Sequence, residues 1–316
     1  MTSPATSARA PRTKQRLGDR IFSNSALTAG TLILAILAAV AGFLVLESVP
    51  ALTTDPEEID ILNGQPFWSY VAPLVFGTLW ASALALAMAI PVSIGIALFI
   101  SHFAPRRIAQ GLGYIVDLLA AVPSVVFGLW GGNVLAPAVQ PLYTWLTQNL
   151  GWFPLFAPPA SGTGRTILTA AIVLAVMVLP IITALSREVF LQTPVLHEEA
   201  ALALGATRWE MIRTAVLPFA RPGIISASML GLGRALGETM AVAMVLSASG
   251  GITLAVLTPS NPGTIAANIA LRFPEAFGLN TNLLIATGLI LFAITLVVNM
   301  IARAIINRRK EFSGAN

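Results

Sequence analysis

Apolar residues fall along this chain in six long runs separated by polar connections: residues 27–49, 73–100, 112–131, 166–185, 223–248 and 283–306. A helix needs roughly 20 predominantly apolar residues to cross about 30 Å of hydrocarbon, and each run supplies that length. The pattern predicts an all-α membrane protein with six transmembrane helices. The first run follows a basic segment, as a secretory signal does, but it exceeds the roughly 7 to 15 apolar residues usual in such signals. It is therefore read as a retained anchor.

Three runs contain an interior proline: Pro91, Pro123 and Pro180. A membrane helix tolerates this where neighbouring helices or Ser and Thr side chains take up the freed backbone groups. Ser93, Ser124 and Thr183 stand close by, so kinks or breaks are expected at these positions.

Lys and Arg accumulate in cytoplasmic loops, so their distribution gives the orientation. One side of the six-run topology holds Arg9, Arg12, Lys14, Arg16 and Arg20, then Arg106 and Arg107, then Arg187, Arg208, Arg213 and Arg221, then Arg303, Arg308, Arg309 and Lys310. The other side holds only Arg165 and Arg272, and Arg234 lies inside a run. Both termini are expected in the cytoplasm, as in a multi-pass protein of the inner (cytoplasmic) membrane. The pI near 10.1 thus reports topology rather than a nucleic-acid partner.

Composition agrees with membrane solvation. The chain is 56% hydrophobic and 10% charged, with a mean hydropathy of +0.81, whereas soluble domains carry about 25% charged residues. With no cysteine, disulfides, thiolate metal sites and cysteine nucleophiles are excluded. His102 and His197 lie in polar connections and read as solvated surface residues. No G-x-x-x-x-G-K-[ST] phosphate loop occurs, and SGTGRT at 161–166 lacks its length and lysine. GLGRALG lies inside an apolar run, not between a strand and a helix, so it is no dinucleotide fingerprint. Gly233 and Gly237 in it suit close approach of another helix. No catalytic residue, metal site or cofactor is expected.

The outward connections differ in character. Residues 50–72 carry Asp55, Glu57, Glu58 and Asp60, whereas 132–165 are rich in proline and in Tyr143, Trp145, Trp152, Phe153 and Phe156. Such aromatics suit the membrane interface, with an external docking surface as the alternative. Residues 259–282 open with turn residues and suit a short re-entrant helix at 264–271.

The longest polar connection on the basic side runs from 186 to 223, SREVFLQTPVLHEEAALALGATRWEMIRTAVLPFARPG. Pro194 suits a first helical turn, Glu198 and Glu199 suit the positive end of a helix dipole, and Gly205 suits a left-handed residue closing the helix. A second helix is expected from about Thr207 to Val216, ending before Pro218. Glu199, Ala200 and Ala201, then Gly205 after three intervening residues, then Leu217 and Pro218, resemble the EAA loop of ABC importer permeases. Ala215 stands where that family usually has isoleucine. The resemblance implies that the short helix at 195–205 is a coupling helix seated on an ATPase subunit.

Two further stretches, AAVPSVVFGLWG at 120–131 and GLGRALGETMAV at 231–242, together with TIAANIALRF, resemble the phosphate-specific importer permeases of the PstC type. The resemblance runs over roughly 73–306. It implies a type I ABC importer permease core there, preceded by a basic cytoplasmic segment (1–26) and a first helix with its external loop (27–72), and followed by a tail (307–316). It also implies a transport subunit without its own ATPase site, working with ABC ATPase subunits, a second homologous permease and an external phosphate-binding protein to move inorganic phosphate inward. A permease for sulfate or molybdate, an ion-coupled carrier and a phosphate-signalling scaffold remain alternatives.

Arg234 and Glu238 are the charges inside the fifth run. Eleven residues past Gly223, Arg234 is placed roughly 16 Å along a helix at 1.5 Å per residue, near mid-bilayer. A charge there costs at least about 2.5 kcal/mol, so it must face protein or water. Four residues apart on a helix, the two share a face and can pair. Alternatively, the planar Arg234 guanidinium meets phosphate oxygens in the translocation pathway. Asp117, near the start of the third run, is a further candidate, with a charge at the cytoplasmic edge as its simpler role.

Overall fold

The computed structural model describes residues 17–310. The basic segment before residue 17 and the tail after residue 310 lie outside the described residues. The first helix, α1 (Leu17–Thr53), begins in one compact unit, residues 1–47, and ends in the second, residues 48–316. Within the first unit its apolar side chains, among them Phe22, Leu32, Leu34 and Leu46, are exposed on every side. Such a helix suits lipid rather than water.

In the second unit, α2 (Phe67–Leu98) runs into a wide turn over Phe99–Phe103, closed by the Ala104 amide donating to the Phe99 carbonyl at 2.8 Å. After it come α3 (Arg106–Ala120), α4 (Ser124–Trp130), a second wide turn (Gly131–Leu135) and α5 (Ala136–Leu150). Next are α6 (Ile167–Leu191), the short α7 (Val195–Ala203), α8 (Arg208–Met211), a third wide turn (Ile212–Val216) and α9 (Leu217–Leu236). The chain ends with α10 (Met240–Val245), α11 (Ile265–Arg272) and α12 (Leu279–Lys310). Among the described residues there is no strand beyond one isolated bridge, Ala248 to Asn261, and six helical runs are long and apolar enough to span a membrane.

The core forms around α6. Ile167, Leu174, Val178 and Ile182 are buried on it, against α2, which presents Ala81, Ala85 and Ala89 one turn apart. Small residues at that spacing let two backbones close in, which matters where lipid supplies no hydrophobic drive between helices. Ser93 of α2 donates to the Leu179 carbonyl of α6 at 3.1 Å, a cross-helix bond beside Pro180. Thr183, expected to do similar work, is buried without a partner.

Two runs fall elsewhere than the apolar pattern places them. The expected third span, 112–131, fuses the apolar face of α3 with the first turns of the true span, Ser124–Leu150. α3 is amphipathic, exposing Tyr114, Ile115 and Leu118 while burying Gly113 and Val116. It ends at Ala120, because the residue before a proline is disfavoured in the α region, and Pro123 stands extended at the N-cap of α4 rather than inside a helix. The second half of this span falls in the expected connection, because Gln140, Thr144, Thr147 and Gln148 dilute its hydropathy. Buried Tyr143, bonded to the Thr169 hydroxyl at 2.9 Å, holds it against α6.

The fifth span occupies Arg208–Leu236 instead of 223–248. The helix expected to stop before Pro218 does not stop there: α8 continues through the wide turn at Ile212–Val216 into α9 as one span. Proline lacks the N–H that would bond one turn back, and the wide turn preceding it passes the ladder on through the Leu217 amide to the Ile212 carbonyl.

The acidic connection after α1 forms two single-turn helices, Pro56–Glu58 and Asp60–Leu62. It is tied to the start of α12 by Asn280, which accepts from the Ile61 amide at 3.2 Å and donates to Asp60 at 3.1 Å. A short helix does form near 264–271: α11, capped by the Thr264 hydroxyl.

Candidate functional site: a docking helix and a broken span

The first candidate region is built from short-range signals. Pro194 is extended at the N-cap of α7. The helix closes at Gly205, whose φ of +86° lies in the left-handed region. The Gly205 amide donates to Leu202 at 3.0 Å and that of Ala206 to Ala201 at 3.2 Å, the closure glycine makes accessible. Thr207 opens α8 with a capping box. Its hydroxyl accepts from the Glu210 amide at 3.3 Å, and the Glu210 carboxylate accepts from the Thr207 amide at 2.7 Å.

α7 has two faces. Ala201, joined by Leu217 at the start of α9, packs against a small buried cluster containing Leu98, Phe190, Met211 and Ile212. Glu199, Ala200, Gly205 and Pro218 are exposed, as are the apolar Val195, Leu196, Leu202 and Leu204, the last 90% exposed. A short helix with exposed leucines and no covering element is shaped to receive another protein surface.

His102 departs from expectation. Its side chain is only 9% exposed, and Nε2 lies 3.5 Å from Glu198 Oε1. Nδ1 is 2.7 Å from the Ser101 hydroxyl, and the ring sits edge-on to Phe190. It joins the end of α2 to α7, a contact that no spacing along the chain announces. His197 is exposed as expected.

The second candidate region is the break at the end of α9. The helix stops at Leu236, so Arg234 and Glu238 do not share a helix face, and they form no ion pair. Glu238 accepts from the Ala241 amide at 3.1 Å and so caps α10. Arg234 is half-buried in a cleft of about 480 Å³ with Ser226, Met229, Gly233 and Asn299, and its Nε is buried without a partner. Among the described residues, no atom of another helix lies within 4 Å of where a Cβ on Gly233 or Gly237 would stand.

The close approach occurs instead between the two motifs. A Cβ on Gly128 of α4 would lie 2.9 Å from the Ala241 Cα of α10, and one on Gly132 would lie 2.9 Å from the Met244 carbonyl. The sequence signal was present in the spacing of Gly128, Gly131 and Gly132 on one helix face. Asp117 is exposed on α3, away from this break, in a separate cavity beside Arg106 and Arg187.

Six candidate spans, some interrupted, with a short exposed helix between two of them, fit a membrane transport subunit. Residues 89–311 match the family described as binding-protein-dependent transport system inner membrane component, and the chain belongs to that family. It is 44% identical over 323 residues to a phosphate transport system permease protein PstC 2 of Mycobacterium tuberculosis, covering 96% of each chain. To the PstC of Mycobacterium leprae it is 42% identical over 305 residues, covering 91% of this chain and 92% of that one. A bacterial ABC transporter that imports the acidic polysaccharide alginate shares the fold at a TM-score of 0.60 and 19% identity, over 92% of this chain and 96% of that chain. The protein is thus a multi-pass inner-membrane permease with a type I ABC importer fold.

Proposed function

We propose that the chain is the phosphate-translocating permease subunit of an ATP-driven importer, with Arg234 as the residue that meets the anion. The observation that carries this reading is the half-buried Arg234 guanidinium, unpaired by any carboxylate among the described residues, in an open cleft beside a broken span. A guanidinium fork matches two oxygens of a tetrahedral oxyanion, and an unpaired cation in a membrane is costly unless it serves a ligand or faces water. Its relatives named as phosphate permeases supply the substrate.

α7 is the ATPase-facing element in this reading, on the cytoplasmic side with both termini. Its residues Glu199, Ala200, Ala201 and Gly205, with Leu217 and Pro218 beyond, form the docking and relay surface. ATP-driven closure of two ATPase subunits moves α7. The small cluster under Ala201 and Leu217 passes that movement to α9, and the wide turn at Ile212–Val216 gives the helix a place to bend. The cleft then opens outward to a phosphate-binding protein, and hydrolysis resets it. A second, homologous permease completes the pathway.

The test is uptake and ATP hydrolysis by the reconstituted transporter, with binding protein present, for phosphate, sulfate and molybdate. Phosphate alone should stimulate both. Arg234→Gln should lower phosphate uptake about tenfold or more, the factor for one lost charge-assisted hydrogen bond, while ATPase assembly persists. Equal stimulation by sulfate, or full uptake by Arg234→Gln, overturns the reading.

A further inference from the structure

One cavity lies outside this scheme. It is walled by the wide turn after α2, by α3 and by the end of α6, with a volume of about 510 Å³. Arg106, Gln110, Tyr114 and Asp117 of α3 line it together with Arg187 of α6. It sits at the end of the molecule that carries α7, since the wide turn contributing Ser101 to its wall also carries His102, the partner of Glu198.

Arg187 is held in an unusual way. Its Nε is buried with no hydrogen-bond partner. Its Nη1 rests on Gly113, at a point where any Cβ would collide with it. Among the described residues neither Arg106 nor Arg187 forms an ion pair with a carboxylate. Asp117 is the carboxylate in the lining, so two cations face one anion and the cavity is net positive. A buried donor left unpaired is destabilising, and a guanidinium presents paired N–H groups that fit the oxygens of one phosphoryl group. The volume is within the range of small-molecule sites.

We propose that this cavity is a phosphoryl-group site, distinct from the Arg234 cleft, in which Arg187 and Arg106 clamp the anionic oxygens and the Gln110 amide adds a further donor. Gly113 is the residue that leaves room for the Arg187 guanidinium. Two sources present such a group at this end of the molecule: the headgroup of an anionic lipid and free phosphate. α3 favours contact with lipid, since it exposes Ile115 and Leu118 near Arg106 and Arg107, the pattern of a helix lying in a membrane interface. Recognition chemistry is the same for both sources, and one experiment separates them.

Phosphorus NMR of the assembled transporter in nanodiscs of phosphatidylcholine and phosphatidylglycerol, with inorganic phosphate added, reads the lipid and free-phosphate signals separately. The wild-type complex should exchange-broaden one of them, and Arg187→Gln should weaken that binding about tenfold, as one lost charge-assisted hydrogen bond dictates. Arg106→Gln, at an exposed helix end, should act in the same direction and guards against a folding defect at the more buried arginine. Gly113→Ala keeps both charges but displaces the guanidinium, and should also weaken binding. A change confined to phosphatidylglycerol identifies a lipid site, and one confined to inorganic phosphate identifies a free-anion site. Signals that are the same for the wild type and all three variants overturn the proposal. Arg234 is intact in every variant, so failure here leaves the translocation reading untouched.

Discussion

α7 with its flanking turns and the α9–α10 break both lie in stretches that carry the family resemblance, yet their structures have different causes. Around α7 the determining bonds join near neighbours: Gly205 to Leu202, Ala206 to Ala201, and Thr207 to Glu210. At the break, the four-residue spacing of Arg234 and Glu238 suits a shared face on one helix. α9 instead ends at its C-cap, Gly237, where α10 packs against Gly128 on α4 and Gly132 in the wide turn after it, and Glu238 caps α10. The α7 element is therefore locally written and exposed, and the charged element is globally placed, in an open cleft that leaves Arg234 half-buried. A mutation in the first should disturb communication with a partner, and one in the second should disturb passage of the anion.

The sharpest way to break that contrast is the exchange Arg234→Glu with Glu238→Arg. Were the two residues only a lock, exchanging them would restore function. Because they do not pair and Glu238 caps a separate helix, the exchange should leave phosphate uptake about tenfold or more below wild type, with the complex still assembled. Recovery of uptake would place both side chains in one interaction after all.

Gly205→Val should act next most strongly. The position has open space around its missing Cβ, so the cost is conformational rather than steric, about 1–2 kcal/mol for a left-handed residue bearing a side chain. ATP hydrolysis measured against uptake should show uncoupling or loss of ATPase assembly. Gly205→Asn, which tolerates the left-handed region, should be milder. Equal damage by both would point to contact with the ATPase rather than to backbone shape.

The smallest effect is expected at Glu238. Glu238→Gln retains an oxygen able to accept from the Ala241 amide, whereas Glu238→Ala removes the cap at a cost of about 1 kcal/mol. Thermal stability of the assembled transporter should separate the two, with Glu238→Ala the lower. If Glu238→Gln instead abolishes uptake at unchanged stability, the carboxylate charge belongs to the pathway as Arg234 does.

The α7 region was legible because its signals are short in range: a proline before the helix, a glycine after it, and Thr and Glu three residues apart. The number of spans was legible because hydrocarbon thickness imposes a length. Their placement failed at the third and fifth runs, where the apolar face of α3 mimicked a span and the polar residues of α5 concealed one. His102 was read as a surface residue because its partner Glu198 lies on a different element, and no periodicity links the two.

Composition and periodicity by themselves determined that the chain lives in a membrane, that it crosses with helices, and that its longest basic connection folds into a short capped helix. These follow from solvation and from hydrogen bonds between near neighbours, which a linear pattern contains. Where the spans break, which glycines meet a neighbouring helix, and whether Arg234 is paired were decided only when α4, α6, α9 and α10 packed together. Packing depends on residues far apart in the chain approaching within van der Waals distance, so a local glycine spacing marks a face able to approach but not the neighbour it meets.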